Sequence, residues 1–106
     1  MLQMIVLSFL AGLVGANGIP HFVRGITAQE YPNVTGNSAV RNVVGGWGAL
    51  VISALLAFWS HGDRHAPAAF TAAAVGVLAM AVFHARGGAF RLNTRFGRPN
   101  PLPQER

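Results

Sequence analysis

The sequence has no cysteine. Disulfides, thiolate metal sites and cysteine nucleophiles are therefore excluded, and the redox compartment stays open. Lysine is also absent, so all eight cationic side chains are arginine. Carboxylates are scarce: Glu30, Asp63 and Glu105 are the only three. None lies in an apolar stretch. There is thus no paired acidic constellation for catalysis, and no membrane-embedded carboxylate of the kind small proton-coupled multidrug transporters use. Charged residues make up 10% of the chain and hydrophobic ones 52%, with mean hydropathy +0.41. A soluble domain carries about 25% charged residues, so a fold of this size could not cover its surface in water. One domain is expected at 106 residues, with its apolar content facing lipid.

What is present is three apolar stretches, at about 2–20, 40–59 and 67–85. The central one, VRNVVGGWGALVISALLAFW, has no ionisable side chain after Arg41. A hydrocarbon core of about 30 Å needs roughly 20 apolar residues at about 1.5 Å each, and this run supplies them. Trp59 closes it where an indole sits among headgroups. The first stretch can be read as a signal peptide with small residues at Val14 and Ala16. However, no basic residue precedes it, and apolar character continues through Ile19, Phe22 and Val23, so a transmembrane helix is the better reading. Gly18 and Pro20 are expected to bend its end. The connection 21–38 is polar and turn-rich, with Gly25, Pro32 and Gly36. Its Asn33-Val34-Thr35 triplet matches the glycosylation pattern by common chance. The HGDRHA turn, 61–66, is short enough to join only antiparallel neighbours, and Pro67 suits the first turn of the third helix.

The fold class predicted is all-α: a three-helix transmembrane protein with its N-terminus out and C-terminus in. The membrane domain is assigned to 1–88 and a basic cytoplasmic tail to 89–106. Seven of the eight arginines decide the orientation: Arg24 and Arg41 in the first loop, and Arg86, Arg91, Arg95, Arg98 and Arg106 in the tail. Cationic segments are retained in the cytoplasm, and the localisation expected is the bacterial cytoplasmic (inner) membrane. Small residues recur every fourth position at Gly45, Ala49, Ser53 and Ala57, and again at Ala68, Ala72 and Gly76. These rows predict that helices two and three pack as a close antiparallel hairpin, small face to small face. Genomic base composition is the competing explanation of the alanines. For the tail, a surface-lying segment with Phe90, Leu92 and Phe96 dipped into lipid stands beside a solvated, disordered one.

Polar side chains converge at one end of the three spans. Asn17, His21 and Arg24 are four and three residues apart on the first helix, which gives one stripe. Asn37, Arg41 and Asn42 open the second helix, and His84 and Arg86 close the third. For the arginines, snorkelling to phosphates is the plain reading. The sharper one is an anion- or lipid-headgroup-binding pocket made by Asn17, His21, Arg24, Arg41, His84 and Arg86. Haem held by His21 or His84 is a weaker alternative, as is a metal at His61, Asp63 and His65; no spacing is diagnostic, so neither cofactor nor metal is expected. Gly45-Gly46-Trp47-Gly48 is no phosphate loop, since it lies within a span and has no lysine.

The run Asn17-Gly18-Ile19-Pro20-His21-Phe22, with Gly25, Pro32 and Gly46-Trp47-Gly48, resembles a group of small uncharacterised bacterial integral membrane proteins. They share an NG-x-PHF signature at the end of the first span. The resemblance covers about the first half of the chain and implies no activity. In size and topology the chain also resembles three-span phage holins, on architecture alone. The function expected is that of a non-enzymatic accessory or structural subunit, which packs against partner membrane helices, self or foreign, and against anionic lipid. A homo-oligomeric pore or small-solute transporter is the alternative.

Overall fold

Leu2 starts a helix that runs unbroken through Pro20 to Ile26 (α1, Leu2–Ile26) in the computed structural model, which describes residues 1–103. It is followed by α2 (Ala39–Ser60), a 3-10 turn (Gly62–His65), α3 (Ala66–Ala85) and α4 (Gly88–Arg95). No strand occurs among the described residues. Three helical stretches, Leu2–Ile26, Ala39–Ser60 and Gly62–Ala85, are long and apolar enough to cross a bilayer. Residues 104–106, including Glu105 and Arg106 of the tail, lie outside the described residues.

Local chemistry sets the helix boundaries. The Ser38 hydroxyl accepts from the Arg41 amide at 3.2 Å, which caps the start of α2. His61, in the left-handed region at φ 53°, ends it. Pro67 occupies the first turn of α3, where a missing amide hydrogen costs nothing. Gly87, at φ 75°, breaks the chain between α3 and α4.

The first helix is the centre of the packing. It lies against both α2 and α3, antiparallel to the former and parallel to the latter. Toward α2, a Cβ added at Gly18 would stand 2.8 Å from the Gly46 carbonyl oxygen, and one at Gly15 would stand 2.7 Å from Ser53 Oγ. The Ser53 hydroxyl donates to the Ala11 carbonyl at 2.6 Å. Toward α3, a Cβ at Gly12 would run into the Ala73 carbonyl, and one at Gly76 into the Phe9 carbonyl. Backbone-to-backbone approach of this kind is how apolar helices associate where lipid is as apolar as leucine and hydrophobic driving force is lost.

This corrects the expected close hairpin. The two small-residue rows do not meet each other, because α1 stands between them and presents small residues on two faces: Ala11, Gly15 and Gly18 to one side, Ser8, Gly12 and Ala16 over the rest of its buried surface. Helices α2 and α3 remain an antiparallel pair joined by a short turn. On α3, Ala68 and Ala72 are half-buried and Gly76 is buried, the last against α1 rather than α2. The row on α2 is half right. Ala49 and Ser53 face inward, whereas Gly45 and Ala57 are exposed. A strict every-fourth row turns about 40° per step and so about 120° over three steps. The buried line is Asn42, Gly46, Ala49, Ser53, Leu56 and Ser60, whose alternating steps of four and three follow the helix repeat of about 3.6. The outward face carries Val40, Val44, Trp47, Val51, Ile52, Leu55 and Phe58, all exposed and apolar.

The tail is docked through its first half. Ala89 and Asn93 of α4 are buried, and Asn93 Nδ2 donates to Asn37 Oδ1 of the first loop at 2.9 Å. Asn37 Nδ2 in turn donates to the Pro99 carbonyl at 2.6 Å. Residues 88–95 are therefore a docked helix rather than a disordered segment, and the boundary drawn at 88 falls at its start.

Candidate functional site

All six asparagines of the chain lie at the end of the bundle where α1 ends, α2 begins and α3 ends. Asn42 is the best anchored. It is 0% exposed, and its Nδ2 reaches the carbonyls of Tyr31 at 2.9 Å, Asn37 at 3.0 Å and Ser38 at 3.0 Å. Carbonyls only accept, so the orientation of this amide is fixed and Oδ1 must be the atom facing His21 Nδ1 at 2.6 Å. The proton of neutral His21 is therefore on Nδ1. Its Nε2 keeps a lone pair, with no partner among the described residues.

His84 is held from both sides. Its Nε2 lies 2.9 Å from Asn17 Oδ1 and donates to it; its Nδ1 then accepts from the Tyr31 hydroxyl at 3.1 Å. The three rings form one cluster. The His21 and Tyr31 centroids are 5.1 Å apart and nearly perpendicular, and those of His21 and His84 are 5.8 Å apart. Phe90 of α4 meets the Tyr31 ring edge-on at 6.0 Å. Burial pushes the Tyr31 phenol above its ordinary pKa, because the anion would lose hydration; the Arg24 guanidinium, 6.0 Å from the ring centre, opposes this weakly.

Both histidines and Asn17 border a cavity of about 240 Å³, lined also by Asn33, Phe83 and Asn93, with apolar wall from Pro32, Val34, Ala89 and Leu92. The loop that closes it is folded by its own asparagines. Asn33 Oδ1 accepts from the Thr35 amide at 3.0 Å, and Asn37 Oδ1 accepts from the Asn33 amide at 3.0 Å.

Of the six residues predicted as one anion site, the structure brings together Asn17, His21 and His84. The three arginines lie apart, which corrects the single pocket. Arg24 bonds Gln29 Oε1 at 2.7 Å and Arg41 the Thr35 carbonyl at 2.6 Å. Arg86 faces a separate groove of about 420 Å³, shared with Arg91 and Arg95 and floored by Ala79, Val82, Phe83 and Leu92. All three arginines are exposed, whereas the amides and imidazoles find partners inside. Tyr31, Asn33 and Asn93 belong to the site and were not singled out from the sequence. The available signal was the crowding of asparagine into the segments at this end.

Both ring nitrogens of His84 are engaged in hydrogen bonds, whereas His21 keeps Nε2 without a partner among the described residues. Among the described residues no three His, Asp or Glu side chains gather in metal-binding proximity, at His61, Asp63 and His65 included. Compared with protein-family models, curated proteins and solved structures, the chain matches none.

Proposed function

We propose that this chain is a non-catalytic integral protein of the bacterial cytoplasmic membrane, an accessory subunit that holds anionic lipid at its arginine-rich, inward-facing end and packs its outer helix faces against partner helices. The observation that carries this reading is the groove between α3 and α4. Arg86, Arg91 and Arg95 rim it, apolar side chains floor it, and neither Glu30 nor Asp63 lines it. Guanidinium groups pair with phosphate by charge and by matched hydrogen bonds. An acyl chain lies along Ala79 and Val82, on an exposed part of α3. The arginine balance across the spans supports the orientation. Partner packing is supported by the glycines of α2 that α1 leaves free: an added Cβ at Gly48 meets nothing within 4 Å.

Native mass spectrometry in mild detergent tests the lipid part. The wild-type chain is expected to retain phosphatidylglycerol over phosphatidylcholine, and Arg86→Ala/Arg91→Ala/Arg95→Ala to lose that preference. Equal retention by the triple variant refutes the reading. The same spectra distinguish the accessory role, with foreign subunits co-purifying, from a pore, which requires a defined homo-oligomer because α1 fills the space between α2 and α3 in the single chain.

A further inference from the structure

The cavity beside His21 and His84 has a chemistry the lipid groove lacks. No arginine, aspartate or glutamate lines it. Its polar atoms are instead uncharged, and four of them are left over after the internal network is complete. Two are acceptors. Asn93 is 0% exposed, and its Nδ2 donates to Asn37 Oδ1 at 2.9 Å and to the Pro99 carbonyl at 3.1 Å. That fixes the amide, and its buried Oδ1 has no partner among the described residues. A fully buried acceptor without a donor is rare in a folded chain and calls for an explanation. His21 Nε2 is the second acceptor, its Nδ1 proton being committed to Asn42. Two are donors. Asn33 Oδ1 is taken by the Thr35 amide and Asn17 Oδ1 by His84, so the Nδ2 hydrogens of both asparagines are unused by the described residues.

Size and access narrow the occupant. About 240 Å³ suits one substituted ring and is small for a nucleotide, and the absence of a lining cation disfavours a phosphate headgroup. The apolar wall and the position at the ends of three apolar helices favour a molecule that arrives through lipid. The cavity is not fully enclosed, and one of its lining residues is exposed on the outer side of α2. Gly45 lines the cavity from the exposed flank of α2, and a Cβ built there would meet only Asn33 Nδ2, at 3.5 Å.

We propose that this cavity binds the headgroup of a membrane-soluble quinone or quinol. A quinone carbonyl accepts from Asn17 or Asn33 Nδ2; a quinol hydroxyl donates to His21 Nε2 or Asn93 Oδ1. The paired set of donors and acceptors receives either form, and the absence of lining charge matches an uncharged ring. Phe83 and Leu92 supply the ring's apolar contacts. The site shares the Phe83 and Leu92 wall with the arginine groove, but none of its polar lining residues belongs to that groove.

The test is thermal unfolding of the full chain at fixed detergent concentration, titrated with decylubiquinone and, as control for the alkyl chain, decanol. The expected result is a saturable rise in Tm with decylubiquinone and none with decanol. Asn93→Leu removes the acceptor and fills the cavity, and should abolish the rise. Gly45→Leu blocks the opening at a position with room for a side chain, so folding is retained, and it should weaken binding at least tenfold. No saturable rise in the wild-type chain means that the cavity holds only water and overturns the proposal. So does an equal rise with decanol, or a Gly45→Leu variant that binds like wild type.

Discussion

His21 Nδ1 donates to Asn42 Oδ1 at 2.6 Å, joining the end of α1 to the start of α2. Asn42 is fixed in orientation: its amide hydrogens are shared among three carbonyls of the first loop and the helix cap. One residue thus orders the loop and fixes the tautomer of His21. Asn42→Leu should therefore destabilise the fold by about 3 kcal/mol or more, since it strands buried carbonyls as well as the imidazole. Asn42→Asp, isosteric but without donors, should cost a similar amount. Unfolding in mixed micelles by titrated denaturing detergent measures both. A loss below about 0.5 kcal/mol, the scale of an ordinary surface change, would contradict the assignment.

Glycines on the two sides of the bundle should respond oppositely. Gly76→Val forces a side chain into the Phe9 carbonyl and should cost several kcal/mol, on the order of 3 or more, through displaced backbone. Gly48→Ala meets open space and should be neutral or stabilising by up to about 1 kcal/mol, because alanine loses less backbone freedom in a helix. The same unfolding assay ranks them.

Tyr31 is the only tyrosine, so tyrosinate absorbance reads it directly. Its folded pKa lies above the unfolded value of about 10. The folded state thus binds the proton more tightly. The associated stability is complete below about pH 10 and is lost as pH rises through the higher, folded value. Tyr31→Phe should abolish this alkaline loss. A native titration at or below the free phenol's would refute the burial argument.

Orientation has its own check. A reporter active only outside the cytoplasm, fused after Arg106, should be silent, and one fused before Met1 active. The reverse pattern would place the arginine groove on the outer face and remove the cytoplasmic assignment.

The amount legible in advance differed by element. Spans two and three were bounded within a few residues, because hydropathy and length alone specify a helix that must satisfy its backbone internally. The first helix was read short by six residues at its end, since Pro20 was expected to weaken it. A proline removes one hydrogen bond from the helix, and here the surrounding contacts to α2 carry the chain on to Ile26. The rows of small residues were visible, but not which faces they meet. Gly45 and Ala57 satisfied the spacing and still point away. For the site, Asn17, His21 and His84 were identified by their shared depth. Tyr31 and Asn93 were not, because each reaches the site from a segment whose fold depends on side-chain bonds rather than on periodicity.

Composition by itself determined that this chain has three apolar helices, one arginine-rich end and no chemistry of thiols or paired carboxylates. These follow from residue type and run length, which act locally. Only the tertiary structure decided that α1 is the central helix, that Arg86, Arg91 and Arg95 line a different groove from the cavity of His21 and His84, and that Asn93 leaves an acceptor unpaired among the described residues. Those outcomes depend on which backbones can approach most closely, and that is settled by small residues on all three helices at once.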